Sequence, residues 1–237
     1  MRRPLPFPAR FIAAHRGSVS AAARENTLDA FNAAIAAGAD AIELDVRRLA
    51  DSELVIFHDN EIGGRRLATL TRAEIDDLVF DPHILTLGAC AEALRGRILL
   101  DVELKDVGLE IDAVKMLRDT GWTLRDFVVT SFDAGTVANA RRAWSDLAAG
   151  LLTDKYEDLG SAAAWATAID ADFLAPHDSS LDLAALTAQS VADLPLVVWT
   201  VNNPSRVRAL LDHPAIAGVI TDAVVPARHA RSLSDAR

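Results

Sequence analysis

Polar side chains with chemical potential stand at the ends of two predicted strands early in the chain. The apolar run "FIAAH" ends at His15 and is followed by Arg16, and the run "AIELDV" carries Glu43 and Asp45 at alternate positions. Because successive side chains of a strand point to opposite faces, the two carboxylates share one face. A histidine, an arginine and two carboxylates at neighbouring strand ends could bind a cation and transfer protons.

A third predicted strand adds to this cluster. The run "ILLDVELK" places Asp101, Glu103 and Lys105 on one face by the same alternation. For either strand alone, a solvated edge or an ion pair between Glu103 and Lys105 is an equally good interpretation. Convergence of both strands favours a metal site, because clustered carboxylates repel one another and are costly to desolvate. Oxygen ligands suit Mg²⁺ or Ca²⁺.

The elements that would position these residues alternate between short apolar runs and Ala- and Leu-rich helical segments. This rhythm predicts βα units around a parallel sheet, and a chain of this length fits an α/β TIM (β/α)8 barrel. An extra run, "ELVIFHD", predicts a short insertion after the second strand and supplies His58. The eight predicted barrel strands are "FIAAH", "AIELDV", "ILLDVELK", "FVVTSF", "LAAGLL", "DFLAP", "PLVVWTV" and "AGVITD". Active sites of such barrels lie at the carboxyl ends of the strands.

The composition limits the class of protein. The chain has 237 residues and is 51% hydrophobic, so we expect one large core and a single domain over residues 1–237. With 24 basic and 34 acidic residues the net charge is -10, which would repel nucleic acid and anionic membrane surfaces. We therefore expect no nucleic-acid partner and a small-molecule substrate.

The location of the protein is predicted from what the sequence lacks. Cys90 is the single cysteine, which excludes an intrachain disulfide and is compatible with a reducing cytosol. Prolines interrupt the first residues, so the apolar segment of a signal peptide is missing. No run approaches the roughly 18 apolar residues of a membrane span. We expect a cytoplasmic protein without a stable membrane anchor, and the oligomeric state stays open.

An ordered set of motifs resembles the glycerophosphodiester phosphodiesterases, which are metal-dependent TIM-barrel enzymes. The motifs cover most of residues 11–222 and are "AHRG", "ENTLDAF", "GADAIELDV", "LVIFHD", "LLDVELK", "VVTSF", "VVWTVN" and "GVITD". The resemblance implies hydrolysis of a glycerophosphodiester to an alcohol and glycerol 3-phosphate with a divalent cation, with Mn²⁺ as a further candidate beside Mg²⁺ and Ca²⁺. It implies the following roles: His15 and His58 as acid and base, Glu43, Asp45 and Glu103 as metal ligands, Arg16 and Lys105 near the phosphate, and Glu25 in support.

Several alternatives stay open at this point. Trp199 in "VVWTVN" is either core filler or, as the resemblance favours, a wall of the substrate pocket, and His177 is a further candidate for the pocket. The nucleophile is either water or a substrate hydroxyl that first closes a cyclic phosphate. A lysophospholipase D or related phospholipase would use a similar histidine pair with a longer lipid pocket. A noncatalytic barrel that binds a phosphate ligand is the third alternative, although such a protein would be expected to lose part of the cluster.

Overall fold

Eight parallel strands close into a barrel in the computed structural model, which describes residues 2–20, 23–78, 84–155, 157–186, 191 and 193–235. Each strand pairs with the next around the barrel, and the last pairs with the first. The predicted TIM barrel is therefore confirmed. Its strands are β1 (Phe11–His15), β2 (Ala41–Arg48), β6 (Leu99–Leu104), β7 (Phe127–Ser131), β8 (Ala149–Thr153), β9 (Phe173–Pro176), β10 (Leu196–Val198) and β11 (Ile216–Thr221).

Helices surround the barrel, and several begin at capping residues that the sequence supplies. Thr27 accepts a hydrogen bond from the Ala30 amide, and Asn203 accepts from the amide of Arg206. No helix in the described ranges combines the length and apolar character needed to cross a membrane. The helices are α1 (Leu28–Ala36), α2 (Arg72–Leu78), α3 (Leu87–Leu94), α4 (Glu110–Asp119), α5 (Ala134–Ala143), α6 (Leu159–Ala168), α7 (Pro204–Leu211) and α8 (Val224–Asp235).

The predicted insertion after β2 is an excursion with its own small core. Strand β3 (Leu54–Ile56) runs antiparallel to β2, and a hairpin of β4 (Glu61–Ile62) and β5 (Arg65–Arg66) follows. Its turn at Gly63 and Gly64 has positive φ angles of 57° and 76°, which glycine adopts without strain. Buried apolar residues hold the excursion against the barrel: Leu49, Val55, Leu67, Leu70, Ile75 and Ile84.

The barrel interior divides into an apolar floor and a polar mouth. At the floor, the Phe173 and Phe11 rings fill the space beside Gly150 and Gly218, where an added Cβ would lie 2.3 and 2.4 Å from ring atoms. On β2, the alternate residues Ile42, Leu44 and Val46 join the core outside the barrel. The other set, Glu43 and Asp45, faces inward, as the alternation predicted. The inward-facing Glu43 lies at the height of His15, the residue that ends β1.

A buried ion pair helps to close the amino-terminal end of the barrel, and its loss is expected to destabilise the fold. Arg141 has only 4% of its side chain exposed and lies 3.1 Å from the fully buried carboxylate of Asp172. In Arg141→Met the Asp172 carboxylate keeps the Arg3 guanidinium, 3.6 Å away, and the amides of Arg3 and Ala149 as partners. The free energy of unfolding should therefore fall by about 1–3 kcal/mol, the cost of losing one charged hydrogen-bonding partner. Urea unfolding followed by circular dichroism measures this.

The neighbouring Arg142 is exposed and provides a matched control. Arg142→Met should change the unfolding free energy by no more than about 0.5 kcal/mol. Equal effects of the two substitutions would contradict a stabilising role for the buried pair.

Candidate active site

Most of the predicted polar residues line one cavity of about 110 Å³ at the carboxyl ends of the barrel strands, while Asp45 and Glu25 contact the lining residue Arg16 from outside it. Strand register explains why. His15 on β1 lies beside Glu43 on β2, while Asp45 lies beside Glu103 on β6. Three adjacent strands therefore present their polar side chains at similar heights. The residues that line the cavity are His15, Arg16, Glu43, His58, Asp101, Glu103, Lys105, Thr130, Phe132, Leu152, Trp199 and Ile220.

Three carboxylates form a compact cluster in this cavity. Glu43, Asp45 and Glu103 each offer an oxygen, and these oxygens lie within 4.8 Å of one another. All three side chains are buried. Lys105 Nζ lies 2.7 Å from Glu103 Oε1 and 3.4 Å from Asp45 Oδ1 and forms an ion pair with each carboxylate. A carboxylate has two oxygens with about four lone-pair sites, so both residues keep ligand capacity beside Lys105. The predicted metal-binding cluster is present as a geometric unit.

Burial and mutual repulsion perturb the titration of the cluster. Burial raises the pKa of Glu43 well above its usual value, and the nearby Asp45 carboxylate raises it further. The pKa of Glu103 is raised by the same two causes in the same order. Burial alone would raise the pKa of Asp45, but Lys105 and Arg16 outweigh it and hold that pKa below its usual value. Burial and mutual repulsion therefore disfavour full ionisation of the cluster unless a further positive charge is present.

A fourth acidic side chain lies beside the cluster. Asp101 is 1% exposed, and its Oδ1 accepts a hydrogen bond of 2.8 Å from the Thr130 hydroxyl. Its other oxygen is buried and accepts no hydrogen bond. Burial raises the pKa of Asp101 to about 7. If all four carboxyl groups of the cavity ionise, Arg16 and Lys105 leave two negative charges uncompensated, which is the charge of one divalent cation.

Arg16 connects the loop after β1 to the carboxylates. Its Nε lies 3.1 Å from Asp45 Oδ2, and its backbone amide donates to Glu43 Oε2 at 3.0 Å. Glu25 accepts two hydrogen bonds from the Arg16 guanidinium, at 3.1 and 3.2 Å. Asn26 donates to Asp45 Oδ2 at 2.8 Å. The "ENT" motif therefore orients both the guanidinium and the central carboxylate.

His15 is held by a carboxylate from the other end of the chain. Its Nδ1 lies 2.7 Å from Oδ1 of Asp222, which follows β11. Asn202 fixes that carboxylate, because its amide nitrogen donates to Asp222 Oδ2 at 2.6 Å and its amide oxygen accepts from the Asp222 backbone at 2.9 Å. The hydrogen bond from His15 lowers the pKa of Asp222. An ionised Asp222 favours the His15 tautomer that carries its proton on Nδ1. The other ring nitrogen, Nε2, then faces away from Asp222 and has no proton.

His58 lies on the excursion rather than on a barrel strand. Its Nδ1 lies 2.8 Å from Asp59 Oδ1, but that carboxylate is 72% exposed. The His58 carbonyl accepts a hydrogen bond of 2.8 Å from Arg47 Nε. Both histidines thus pair Nδ1 with a carboxylate and line the same cavity, while their carboxylates differ in how firmly they are held.

An apolar wall stands on another side of the cavity. Trp199 follows β10, lines the cavity and donates its indole N–H to the Ala175 carbonyl at 2.8 Å. The half-exposed Phe132 ring meets it edge-on at 5.6 Å. His177 packs against the other edge of Trp199, at 5.0 Å, and does not itself line the cavity. Trp199 is therefore positioned as a wall, with His177 behind it.

Sequence reasoning missed the groups that support the histidines. Asp222 was part of the quoted motif "GVITD" but received no role, and Asn202 in "WTVN" received none either. Asn202 directly follows the predicted strand "PLVVWTV", and Asp222 ends "AGVITD". Because active sites of such barrels lie at the carboxyl ends of the strands, the position that drew attention to His15 could also have drawn attention to these two residues. Their pairing with His15 needed the closed barrel, because β11 becomes a neighbour of β1 only when the sheet closes.

The difference between the two supporting carboxylates leads to a prediction. Asp222→Asn should lower kcat by about 10- to 100-fold with KM and Tm nearly unchanged, because a neutral amide favours the His15 tautomer and its charged form less. Steady-state kinetics and thermal melting measure this. Asp59→Asn is the matched control, and its effect should be smaller because water can replace an exposed carboxylate. An equal or larger loss in Asp59→Asn would contradict this ranking.

The barrel brings two carboxylate-paired histidines and an acidic cluster together, and known proteins are similar to this chain in sequence and in fold. The model of the glycerophosphoryl diester phosphodiesterase family matches residues 15–89, which run from the last residue of β1 through β2 and the excursion. A Bacillus subtilis protein provisionally named as a glycerophosphodiester phosphodiesterase is 27% identical over 231 residues, 90% of this chain and 94% of its own.

Solved structures extend the similarity to the whole barrel. A glycerophosphodiester phosphodiesterase from Thermotoga maritima is 27% identical with a TM-score of 0.74, covering 92% of this chain and 96% of its own. A phosphodiesterase from Oleispira antarctica, solved with the product sn-glycerol-3-phosphate, is 25% identical with a TM-score of 0.79, covering 94% and 97%. Over most of its length the chain is therefore similar to glycerophosphodiester phosphodiesterases, which are phosphoric diester hydrolases.

Proposed function

We propose that the protein hydrolyses a glycerophosphodiester to an alcohol and glycerol 3-phosphate, with a divalent cation bound and with His15 and His58 as the acid–base pair. One observation carries this proposal: both histidines line a single cavity of about 110 Å³ together with Glu43 and Glu103, whose carboxylates form a cluster with the fully buried Asp45. Phosphodiester hydrolysis needs neutralised charge, an activated hydroxyl and protonation of the departing oxygen. The cavity contains groups suited to each need.

Glu43, Asp45 and Glu103 would hold the cation. The fit rests on the donor set, which is all oxygen, and on the spacing of these three buried carboxylates, whose oxygens lie within 4.8 Å of one another. The excess of buried carboxylates over Arg16 and Lys105 supports the same conclusion. When bound, Mg²⁺, Ca²⁺ or Mn²⁺ would supply positive charge for the phosphoryl oxygens.

The histidines would move the protons. Since Nδ1 of each ring is engaged by a carboxylate, Nε2 is the atom free to exchange a proton with the substrate. One imidazole takes the proton of the attacking hydroxyl at Nε2, and the other, protonated beforehand, donates from Nε2 to the departing alcohol oxygen. The attacking hydroxyl belongs either to water or to the substrate.

The remaining cavity residues would bind the phosphate and the glycerol part. Arg16 presents a planar donor pair and Lys105 a point charge, and both already face the carboxylates that surround the phosphate position. Glu25 would hold Arg16 in its orientation, as its two contacts to the guanidinium indicate. Trp199 would form the apolar wall beside the glycerol carbons.

The size of the cavity favours a head group over a lipid. A volume of about 110 Å³ is small beside the roughly 300–1,000 Å³ of a pocket that encloses a drug-sized ligand. A small polar head group is therefore favoured, and the Oleispira antarctica relative was solved with sn-glycerol-3-phosphate. An acyl chain would need a longer apolar channel, so the lysophospholipase D alternative receives less support. Retention of both histidines and all three carboxylates argues against a noncatalytic binder.

A substrate panel tests the proposal. Purified protein is incubated with glycerophosphocholine, glycerophosphoethanolamine, glycerophosphoglycerol and lysophosphatidylcholine, each with Mg²⁺, Ca²⁺, Mn²⁺ or chelator, and released glycerol 3-phosphate or lysophosphatidic acid is quantified. Glycerol 3-phosphate from the small diesters with added metal is the expected result. Exclusive turnover of the lysophospholipid would favour the phospholipase alternative. No turnover of any diester under any metal condition would contradict the proposed activity.

A further inference from the structure

His15 and His58 are anchored in different ways. His15 ends β1 and lies between β11 and β2, and the amide of the next residue donates to the Glu43 carbonyl at 2.9 Å. His58 lies two residues beyond the end of β3, where pairing with β2 has stopped. The last ladder contact before it is the Phe57 amide, which donates to the Asp45 carbonyl at 3.0 Å. A contact outside the strand ladder must therefore hold the His58 peptide in place.

The Arg47 side chain provides that contact. It lies near the end of β2, and its side chain is only 13% exposed. Its Nε donates to the His58 carbonyl at 2.8 Å, and its Nη1 donates to Asp106 Oδ1 at 2.6 Å. The other oxygen of Asp106 accepts from the backbone amide of Arg48 at 3.0 Å. The guanidinium is thus clamped between the loop after β6 and the peptide of His58.

We propose that Arg47 is a positioning residue for His58: its guanidinium, oriented by Asp106, holds the His58 carbonyl and thereby sets the imidazole in the cavity. This inference rests on the proposed role of His58 in acid–base catalysis. Arg47 does not line the cavity, so it acts through His58 and not on the phosphate. A displacement of about 1 Å in a catalytic group can cost about 100-fold in rate.

The chemistry of arginine suits this task. The planar guanidinium offers donors in a fixed fork, so it can bind the His58 carbonyl and the Asp106 carboxylate at the same time and hold the angle between them. A lysine offers one nitrogen at the end of a flexible stem and would fix that angle less well. Arg47→Lys should therefore recover only part of the activity that Arg47→Met loses.

Arg47→Met tests the proposal, because methionine keeps an unbranched apolar stem and removes every donor. We expect kcat to fall by about 10- to 100-fold. KM should change by less than about threefold, because Arg47 does not line the cavity. Arg48→Met is the matched control, since the Arg48 side chain donates to the Gly108 carbonyl and to Asp112 and not to His58. Its kcat should equal that of the wild type.

A double-mutant comparison separates positioning of His58 from a general structural effect. In a His58→Ala background, Arg47→Met should have no further effect on kcat, because the group that it positions is gone. An equal loss in both backgrounds would overturn the proposal. So would a wild-type kcat in Arg47→Met when His58→Ala alone is impaired.

The same experiment distinguishes failure of the proposal from failure of the proposed function. Wild-type kcat in His58→Ala would refute acid–base catalysis by His58, and with it the premise of the inference. If Arg47→Met does not fold, Asp106→Ala removes the anchor of the guanidinium instead. A lower kcat in Asp106→Ala that disappears in the His58→Ala background supports the proposal, and an unchanged kcat overturns it.

Discussion

Removal of divalent cations with a chelator is expected to abolish hydrolysis, and Mg²⁺, Ca²⁺ or Mn²⁺ should restore it. The physical reason is the excess of buried negative charge, because Glu43, Asp45 and Glu103 hold oxygens within 4.8 Å of one another. A phosphodiester is itself an anion, so it would enter this acidic cavity only if that charge were compensated. Product release before chelation, after chelation and after metal addition measures the effect.

Substitution of the carboxylates tests whether they bind the cation whose removal abolishes hydrolysis. Glu43→Gln and Glu103→Gln keep the side-chain volume and remove one charge, so metal affinity measured by calorimetry should fall while the protein stays folded. Glu110→Gln is the matched control, since Glu110 is equally buried but lies on α4, where Asn139 donates to it at 3.1 Å. Its metal affinity should not change. Full activity in exhaustively demetallated protein would refute the metal requirement.

The strands and the acidic cluster were predictable because they depend on local rules. Alternation alone separated Glu43 and Asp45 from Ile42, Leu44 and Val46, and the structure places the two sets on opposite faces of β2. Because all strands of a parallel barrel end at the same face, polar residues at the ends of neighbouring strands lie close together there. Periodicity thus predicted the cluster without knowledge of any distance.

Contacts that depend on barrel closure and on the path of the excursion were not predictable. Asp222 reaches His15 across 207 residues of sequence, and no pattern of residues states which carboxylate will pair with which imidazole. The same holds for Arg47, which follows the predicted strand "AIELDV" directly and contacts His58 because β3 folds back beside β2. The sequence therefore predicts the groups that would react, while the groups that orient them require the tertiary structure.

Boundaries also differed where tertiary contacts override local pattern. The run "PLVVWTV" predicted a strand through Val201, but β10 ends at Val198. Beyond that point the backbone of Trp199 pairs with the loop after β9, where its carbonyl accepts from the Asp178 amide at 2.6 Å. Trp199 thus keeps a parallel bridge to His177 after the regular strand has ended, and its indole lines the cavity.

His15→Ala and His58→Ala are each expected to lower kcat by roughly 10²- to 10⁴-fold on a natural glycerophosphodiester, the usual contribution of a general acid or base. The double substitution should cost little more than the worse single one, because a proton-transfer pair works as one unit. Metal affinity should persist in each variant, since neither ring belongs to the carboxylate cluster. His229→Ala, an exposed change on α8, is the matched control and should retain wild-type kcat.

A substrate with a good leaving group distinguishes the two roles. A nitrophenyl phosphodiester of glycerol releases an alcohol that needs little protonation, so it should restore turnover in the variant that lacks the acid and leave the variant that lacks the base impaired. This asymmetry assigns acid and base to His15 and His58. Equal impairment of both variants on this substrate would contradict separate roles for the two rings. Wild-type kcat for both on the natural diester would refute the acid–base mechanism, even though both imidazoles line the cavity with Nδ1 paired to a carboxylate.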